Sequence, residues 1–201
     1  LGLDISMRQV KLRRATGSVT PNKADVQSVM ESLWVSRGLD RAPDYSLGKL
    51  FPPTLHGLDV AIERLSQALQ EQERILVVGD FDADGATATV LVVTALQAMG
   101  ARHVDWKIPD RFRHGYGLSE RLINELEEPF PDVLLTVDQG ISSVAGVALA
   151  KGRGMDVIVT DHHLPGSTLP NADAIINPNL PEDPFPSKHL AGVGVVFYLM
   201  V

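Results

Sequence analysis

Cysteine is absent from the 201 residues, which removes a disulfide scaffold and any thiolate metal ligand from consideration. No apolar stretch reaches the roughly 18 residues of a membrane-spanning helix, and no signal-peptide pattern opens the chain, so the expected location is the cytoplasm. Internal repeats and low-complexity segments are also missing. Positive charge is in the minority: 18 lysines and arginines against 25 aspartates and glutamates give a formal net charge of −7. A chain of that balance does not attract nucleic acid as a whole. A polyanion would have to meet a local basic strip, with part of the acidity neutralised by metal cations. Apolar residues are plentiful at 44%, enough for one sizeable core and a small extension.

From Arg74 onward, short continuous apolar runs alternate with longer stretches. The runs at 75–78, 133–137 and 157–160 are rich in Val and Ile, as expected of parallel strands buried on both faces. The pattern predicts strands at 75–79, 103–108, 132–137, 155–160 and 173–177, with helices at 85–99, 118–127 and 142–151. This is an α/β domain over 74–201, an open and mostly parallel sheet with helices on both faces. Residues 1–73 are expected to form a helical extension. It comprises a basic start, a helix near 23–37, a connection through Pro43 and Phe51-Pro52-Pro53, and an amphipathic helix over 58–72. Leu190 to Val201 is an apolar run that should bury as a helix, yet no cap or polar tail follows it. With Leu1 in place of an initiator Met, the expectation is a piece of a longer protein whose α/β domain is incomplete at its C-terminus.

Three motifs follow three of the predicted strands: Gly79-Asp80-Phe81-Asp82-Ala83-Asp84-Gly85, Val137-Asp138 and Asp161-His162-His163. Loops at the carboxyl ends of parallel strands share one crevice, so the motifs are expected to converge. Taken singly, each is commonplace: Asp84 as a cap of a helix beginning near Gly85, Asp80 as a turn residue, Asp138 as a strand end, the histidines as a solvated loop. Aspartates at 80, 82 and 84 are different together, because an extended segment would send all three to one side without a basic partner nearby. Hard carboxylates with imidazole suit Mn²⁺, with Mg²⁺ among the substitutes. Clustered like charges also need cations to neutralise them. The expected site is therefore a pair of divalent ions bridged by Asp138 and hydrolysing a phosphodiester with water as nucleophile.

In combination, GDFDADG, VDQGISS, VTDHHLPG, INPN and LAGVGVVFYLM resemble the amino-terminal catalytic region of the RecJ family of single-strand-specific exonucleases, within the DHH phosphoesterase superfamily. The resemblance runs from about Arg37 to the last residue. It implies a 5′→3′ exonuclease on single-stranded DNA, dependent on Mn²⁺ or Mg²⁺, in DNA repair and recombination. Single-strand-binding protein and a helicase are candidate partners. Carried over by position, the resemblance makes Asp82, Asp84, Asp138 and His162 metal ligands and His163 a ligand or phosphate contact. Asp80 and Asp161 then support them from behind. Two departures stand out. Gln139 occupies a position where the family usually has asparagine, and the family's fourth motif, a later aspartate, has no counterpart before Val201.

Lys107, Arg111, Arg113 and His114 form the basic strip, leading into Gly115-Tyr116-Gly117. Arg111 is the candidate phosphate clamp and Tyr116 the candidate ring for stacking on a base. Arg8, Lys11, Arg13 and Arg14 make a second basic patch, read as a flexible arm. Gly192 and Gly194 fit either close helix packing or an approach to phosphate. Two other functions fit the same motifs: a phosphodiesterase on short oligonucleotides or cyclic dinucleotides, and a non-catalytic metal-binding domain. Preference for long single strands separates the first from an exonuclease. The paired histidines argue against the second.

Overall fold

Five apolar runs become the five strands of one sheet: β1 (Ile75–Gly79), β2 (Val104–Lys107), β3 (Val133–Val137), β4 (Asp156–Thr160) and β5 (Ala174–Ile176). The computed structural model describes residues 26–39 and 46–201. Strand order is β2-β1-β3-β4-β5, and every pairing is parallel, where a mostly parallel sheet was expected. β1 and β3 are buried at every residue. Alternation sends Ile75, Val77, Val133, Leu135, Val137 and Ile158 into one core, and Leu76, Val78, Leu134, Val157 and Val159 into the other. Burial on both faces explains why these strands read as unbroken apolar runs. β2, at the edge, is only half-buried.

The first core is closed by α2 (Leu58–Glu71), α3 (Ala83–Ala98) and α7 (Gly192–Met200), and the second by α5 (Glu120–Asn124) and α6 (Val144–Gly152). The change of face follows from connection hand: α3 leads from β1 outward to β2, whereas α5 and α6 serve connections running the other way across the sheet. The reversal leaves a topological switch point between β1 and β3, where ligands bind in open α/β sheets.

Contacts divide the chain into two units, Leu1–Leu50 and Phe51–Val201. In the first, the described residues include one helix, α1 (Val26–Ser36), and a 3-10 turn at Leu47–Lys49. The basic residues Arg8, Lys11, Arg13 and Arg14 lie outside the described residues. α2, expected in the extension, falls in the second unit. Its buried face of Leu58, Ala61, Leu65 and Ala68 packs into the first core, and Arg64 pairs with Glu73 at 2.7 Å and with Asp156 of β4 at 2.6 Å.

The helix expected over 118–127 is only α5. Ser119 caps its start, accepting a hydrogen bond from Leu122 N at 3.2 Å. Beyond Glu125 the sequence Glu128-Pro129-Phe130-Pro131 cannot continue a helix. In place of an expected loop, Arg111–His114 forms a single helical turn, α4, capped by Asp110, which accepts from Phe112 N at 2.8 Å. Among the described residues no helix is long and apolar enough to cross a membrane.

Candidate metal centre

Asp80 to Asp84 follow β1, Asp138 follows β3, and Asp161 to His163 follow β4, so the sheet brings all three motifs to the switch point. The first motif is not extended throughout, contrary to the alternating-aspartate expectation. Asp82 is the N-cap of α3, its Oδ1 accepting from Gly85 N at 3.0 Å, so Asp84 already lies in the first helical turn. Gly85 is required by close approach: a Cβ there would stand 2.5 to 2.7 Å from backbone atoms of Asp80. Asp80 is buried, and its Oδ1 accepts from Phe81 N at 2.7 Å. Burial pushes its carboxyl above the usual range, opposed by that amide and assisted by the charge of Asp82.

Asp84 reaches a helix far away in sequence. Its Oδ2 accepts from Gly192 N and its Oδ1 from Val193 N, both at 2.7 Å. It therefore caps α7, whereas the cap of the helix near Gly85 is Asp82. His162 Nε2 stands 3.6 Å from Asp84 Oδ2 and 3.1 Å from Asp138 Oδ1.

Asp138 is the centre of the arrangement. It is 1% exposed and sits at φ 60, a left-handed conformation that Asp tolerates better than most side chains. Neither carboxylate oxygen makes a hydrogen bond, and the His162 ring stands beside Oδ1 as a contact of opposite polarity only. Burial, followed by the charges of Asp84 and Asp82, pushes this carboxyl up to about 8. One donor triad comprises Asp138, His162 and His163, and another Asp80, Asp82 and Asp138, with the donor atoms of each within 4.8 Å of one another. Asp138 is common to both.

Asp161 holds the third motif together from beneath. Its Oδ1 accepts from His162 N at 2.7 Å, His163 N at 3.0 Å and His163 Nδ1 at 2.7 Å, while its Oδ2 accepts from Ile141 N at 2.9 Å. Burial alone would raise its carboxyl, but the His163 ring and the amides of His163 and Ile141 hold it below the usual range. The same bond raises His163. The Tyr116 hydroxyl lies 3.3 and 3.4 Å from the two ring nitrogens of His163, with the rings edge to face. Gln139 spans to β1, donating from Nε2 to Val78 O at 3.2 Å and Gly79 O at 2.7 Å. The extra methylene thus ties the second motif to the strand carrying the first.

Of the basic strip, Arg111 reaches the first motif, its guanidinium 4.5 Å from the centroid of the Phe81 ring. Arg113 and His114 turn instead to Glu125, at 3.3 and 2.8 Å. Two supports escaped sequence reasoning, and a third, Gly192, was left open between close packing and an approach to phosphate. Phe81 underlies Arg111. Asn177 donates to His163 O at 2.9 Å and Asn179 to His162 O at 2.5 Å, so the Ile176-Asn177-Pro178-Asn179 segment fixes the histidine loop. Gly192 stands against Asp138, where a Cβ would fall 2.4 Å from Oδ1. An aromatic inside an acidic motif, and asparagines just after a strand, were the signals available.

Carboxylates and imidazoles converging without sulfur fit a divalent cation of the Mn²⁺ or Mg²⁺ type. The two unpartnered oxygens of Asp138 make the fit specific: a buried carboxylate without hydrogen bonds is costly unless a cation meets it.

The match to known proteins agrees with this construction. Residues 74–201 match the DHH family, N-terminal domain, and the chain belongs to that family. It is similar to the single-stranded-DNA-specific exonuclease RecJ of Salmonella typhimurium, 49% identical over 198 residues that cover 96% of this chain and 34% of that protein. A crystal structure of exonuclease RecJ bound to manganese is 43% identical with a TM-score of 0.65, covering 75% of this chain and 37% of that one. RecJ from Thermus thermophilus in complex with Mn²⁺ is 38% identical with a TM-score of 0.64, covering 83% and 23%. The chain spans about a third of the length of the curated relatives it matches.

Proposed function

We propose that this chain carries the metal-binding core of a 5′→3′ exonuclease that hydrolyses single-stranded DNA in repair and recombination in the cytoplasm. Asp82, Asp84, Asp138 and His162 would hold the divalent ions, Mn²⁺ or Mg²⁺ and two in number, with Asp138 as the shared ligand. The observation that carries the reading is the membership of Asp138 in both donor triads, with its oxygens buried and unpartnered. When bound, such ions lower the pKa of water and stabilise the leaving oxygen of an in-line displacement.

The chain's own side chains prepare that chemistry. Asp80, accepting from Phe81 N, fixes the turn that leads from β1 to Asp82. Asp161 fixes the His163 ring through Nδ1, orienting the imidazole toward a ligand or a substrate phosphate. Arg111, with its guanidinium over the Phe81 ring, offers a fork of donors to a phosphate further along the strand. Tyr116, half-exposed beside His163, offers a face to a base. The single-strand exonuclease activity is supported by the named function of the relatives, and the 5′→3′ polarity is what the family resemblance of the motifs implies. Single-strand-binding protein and a helicase belong in the same proposal as suppliers of unwound substrate.

The test uses oligonucleotides labelled at either end, single-stranded or duplex, in Mn²⁺. Stepwise release of mononucleotides from the 5′ end of single strands alone is expected. Faster turnover of di- to tetranucleotides or cyclic dinucleotides than of long strands would replace the exonuclease with a small-substrate phosphodiesterase.

A further inference from the structure

We propose that Gly192 is a positioning residue of the metal site, and that through it the amino end of α7 fixes where Asp84 and Asp138 stand relative to one another. The inference rests on the metal reading of the crevice given above. α7 has no cap of its own, since Ala191 at its N-cap makes no side-chain hydrogen bond, and the first N–H groups of a helix need acceptors from elsewhere. Asp84 supplies both of its oxygens, one to Gly192 N and one to Val193 N. A carboxylate at a helix amino end is favoured by the dipole and by charge-assisted hydrogen bonds, so this contact is an anchor.

Asp138 has no such anchor. Neither oxygen makes a hydrogen bond, and its side chain is confined by packing. One wall is Gly192: a Cβ there would lie 2.4 Å from Asp138 Oδ1 and 2.7 Å from both Cβ and Cγ. Any side chain at 192 forces one of two movements. Either the Asp138 carboxylate turns away, or α7 retreats and draws Asp84 with it. Both change the separation of carboxylates on opposite sides of the crevice, and metal sites tolerate displacements of only a few tenths of an ångström. Gly194, one half-turn on, is a different case: a Cβ there would meet only the Leu190 side chain, at 2.5 and 2.9 Å. Of the two glycines, only the first is tied to the site.

The test titrates Mn²⁺ alone into the parent protein, Gly192→Ala and Gly194→Ala by calorimetry, with thermal melts alongside. Gly192→Ala is expected to lower Mn²⁺ affinity roughly 10- to 100-fold, while Gly194→Ala lowers the melting temperature and leaves affinity at the parent value. On single-stranded DNA in excess Mn²⁺, Gly192→Ala lowers kcat and leaves KM unchanged. Parental Mn²⁺ affinity in Gly192→Ala overturns the positioning role and leaves the metal reading standing. Failure of the parent itself to bind Mn²⁺ sinks both. If Gly192→Ala does not fold, the contact is tested in the background of Asp138→Gly, which suits φ 60 and removes the obstructing atoms. Recovery of a cooperative melt in the double variant supports the contact, and continued unfolding refutes it.

Discussion

Replacing Asp138 with Asn removes a charge that the fold buries without a hydrogen bond, so it should stabilise the metal-free protein. Folded Asp138 titrates at about 8 against an ordinary value of 3.8. Between those pH values the folded state holds a proton that the unfolded state has released, so this group's contribution to stability falls as pH rises and reaches its lowest level above about 8. At 1.36 kcal/mol per pKa unit, the ceiling on the penalty is about 6 kcal/mol. Relaxation around the charge reduces the observable part, and a gain of about 2 kcal/mol for Asp138→Asn is expected, raising Tm by roughly 4–8 °C in a chain of this size. Asn keeps the shape of the side chain and accepts the left-handed backbone at φ 60. The assay is thermal unfolding in EDTA at about pH 8 and near pH 4, the two ends of the titration window. The variant should melt higher at the alkaline end, and the gap should shrink at the acid end, where Asp138 is protonated in the folded protein. Mn²⁺ should then raise the parent's Tm and leave the variant's unchanged. A variant less stable than the parent in EDTA at the alkaline end, or a gap independent of pH, would refute the reasoning.

Asp161→Asn replaces a four-bond acceptor with an amide whose NH₂ must face at least one N–H, costing about 1–3 kcal/mol in urea unfolding. Because the Asp161 carboxyl is held low, its stabilisation is present above the ordinary carboxylate range and lost as pH falls through the folded value. The gap between parent and variant should therefore close in acid, and a gap that persists there counts against the pairing. Arg111→Ala should weaken single-stranded DNA binding and reduce the slope of log K against log salt by about 1; an unchanged slope removes Arg111 from the phosphate contacts. Arg64→Ala breaks the pairs to Glu73 and Asp156 and should cost about 1–3 kcal/mol in thermal melts, with Mn²⁺ affinity unaltered.

The sheet was legible because β1 and β3 are buried on both faces, which forces continuous apolar runs on the sequence. Parallel strands then oblige the following residues to share a crevice, so the convergence of the three motifs could be read from the chain alone. α5 was overextended because Leu122, Ile123 and Leu126 continue an apolar pattern, while Glu128-Pro129-Phe130-Pro131 just beyond cannot continue a helix. α4 was missed because one helical turn carries no periodicity. Within GDFDADG, Asp82 and Asp84 look equivalent as caps. Only the helix register separates them: Asp82 meets the amide three residues on, and Asp84 lies inside the first turn.

The partner of Asp84 is 108 residues later in the chain, and no local rule predicts a bond of that span. Gly192 was ambiguous for the same reason. A glycine at the start of an apolar helix fits close packing, an anion, or nothing in particular, until the neighbouring atoms are known. They are those of Asp138, the residue common to both donor triads. The motifs therefore specify which side chains face the crevice, whereas the distances between them depend on a helix that lies outside all three. If Gly192 positions the site as proposed, a single methyl group on α7 lowers metal affinity while the acidic and histidine motifs stay intact.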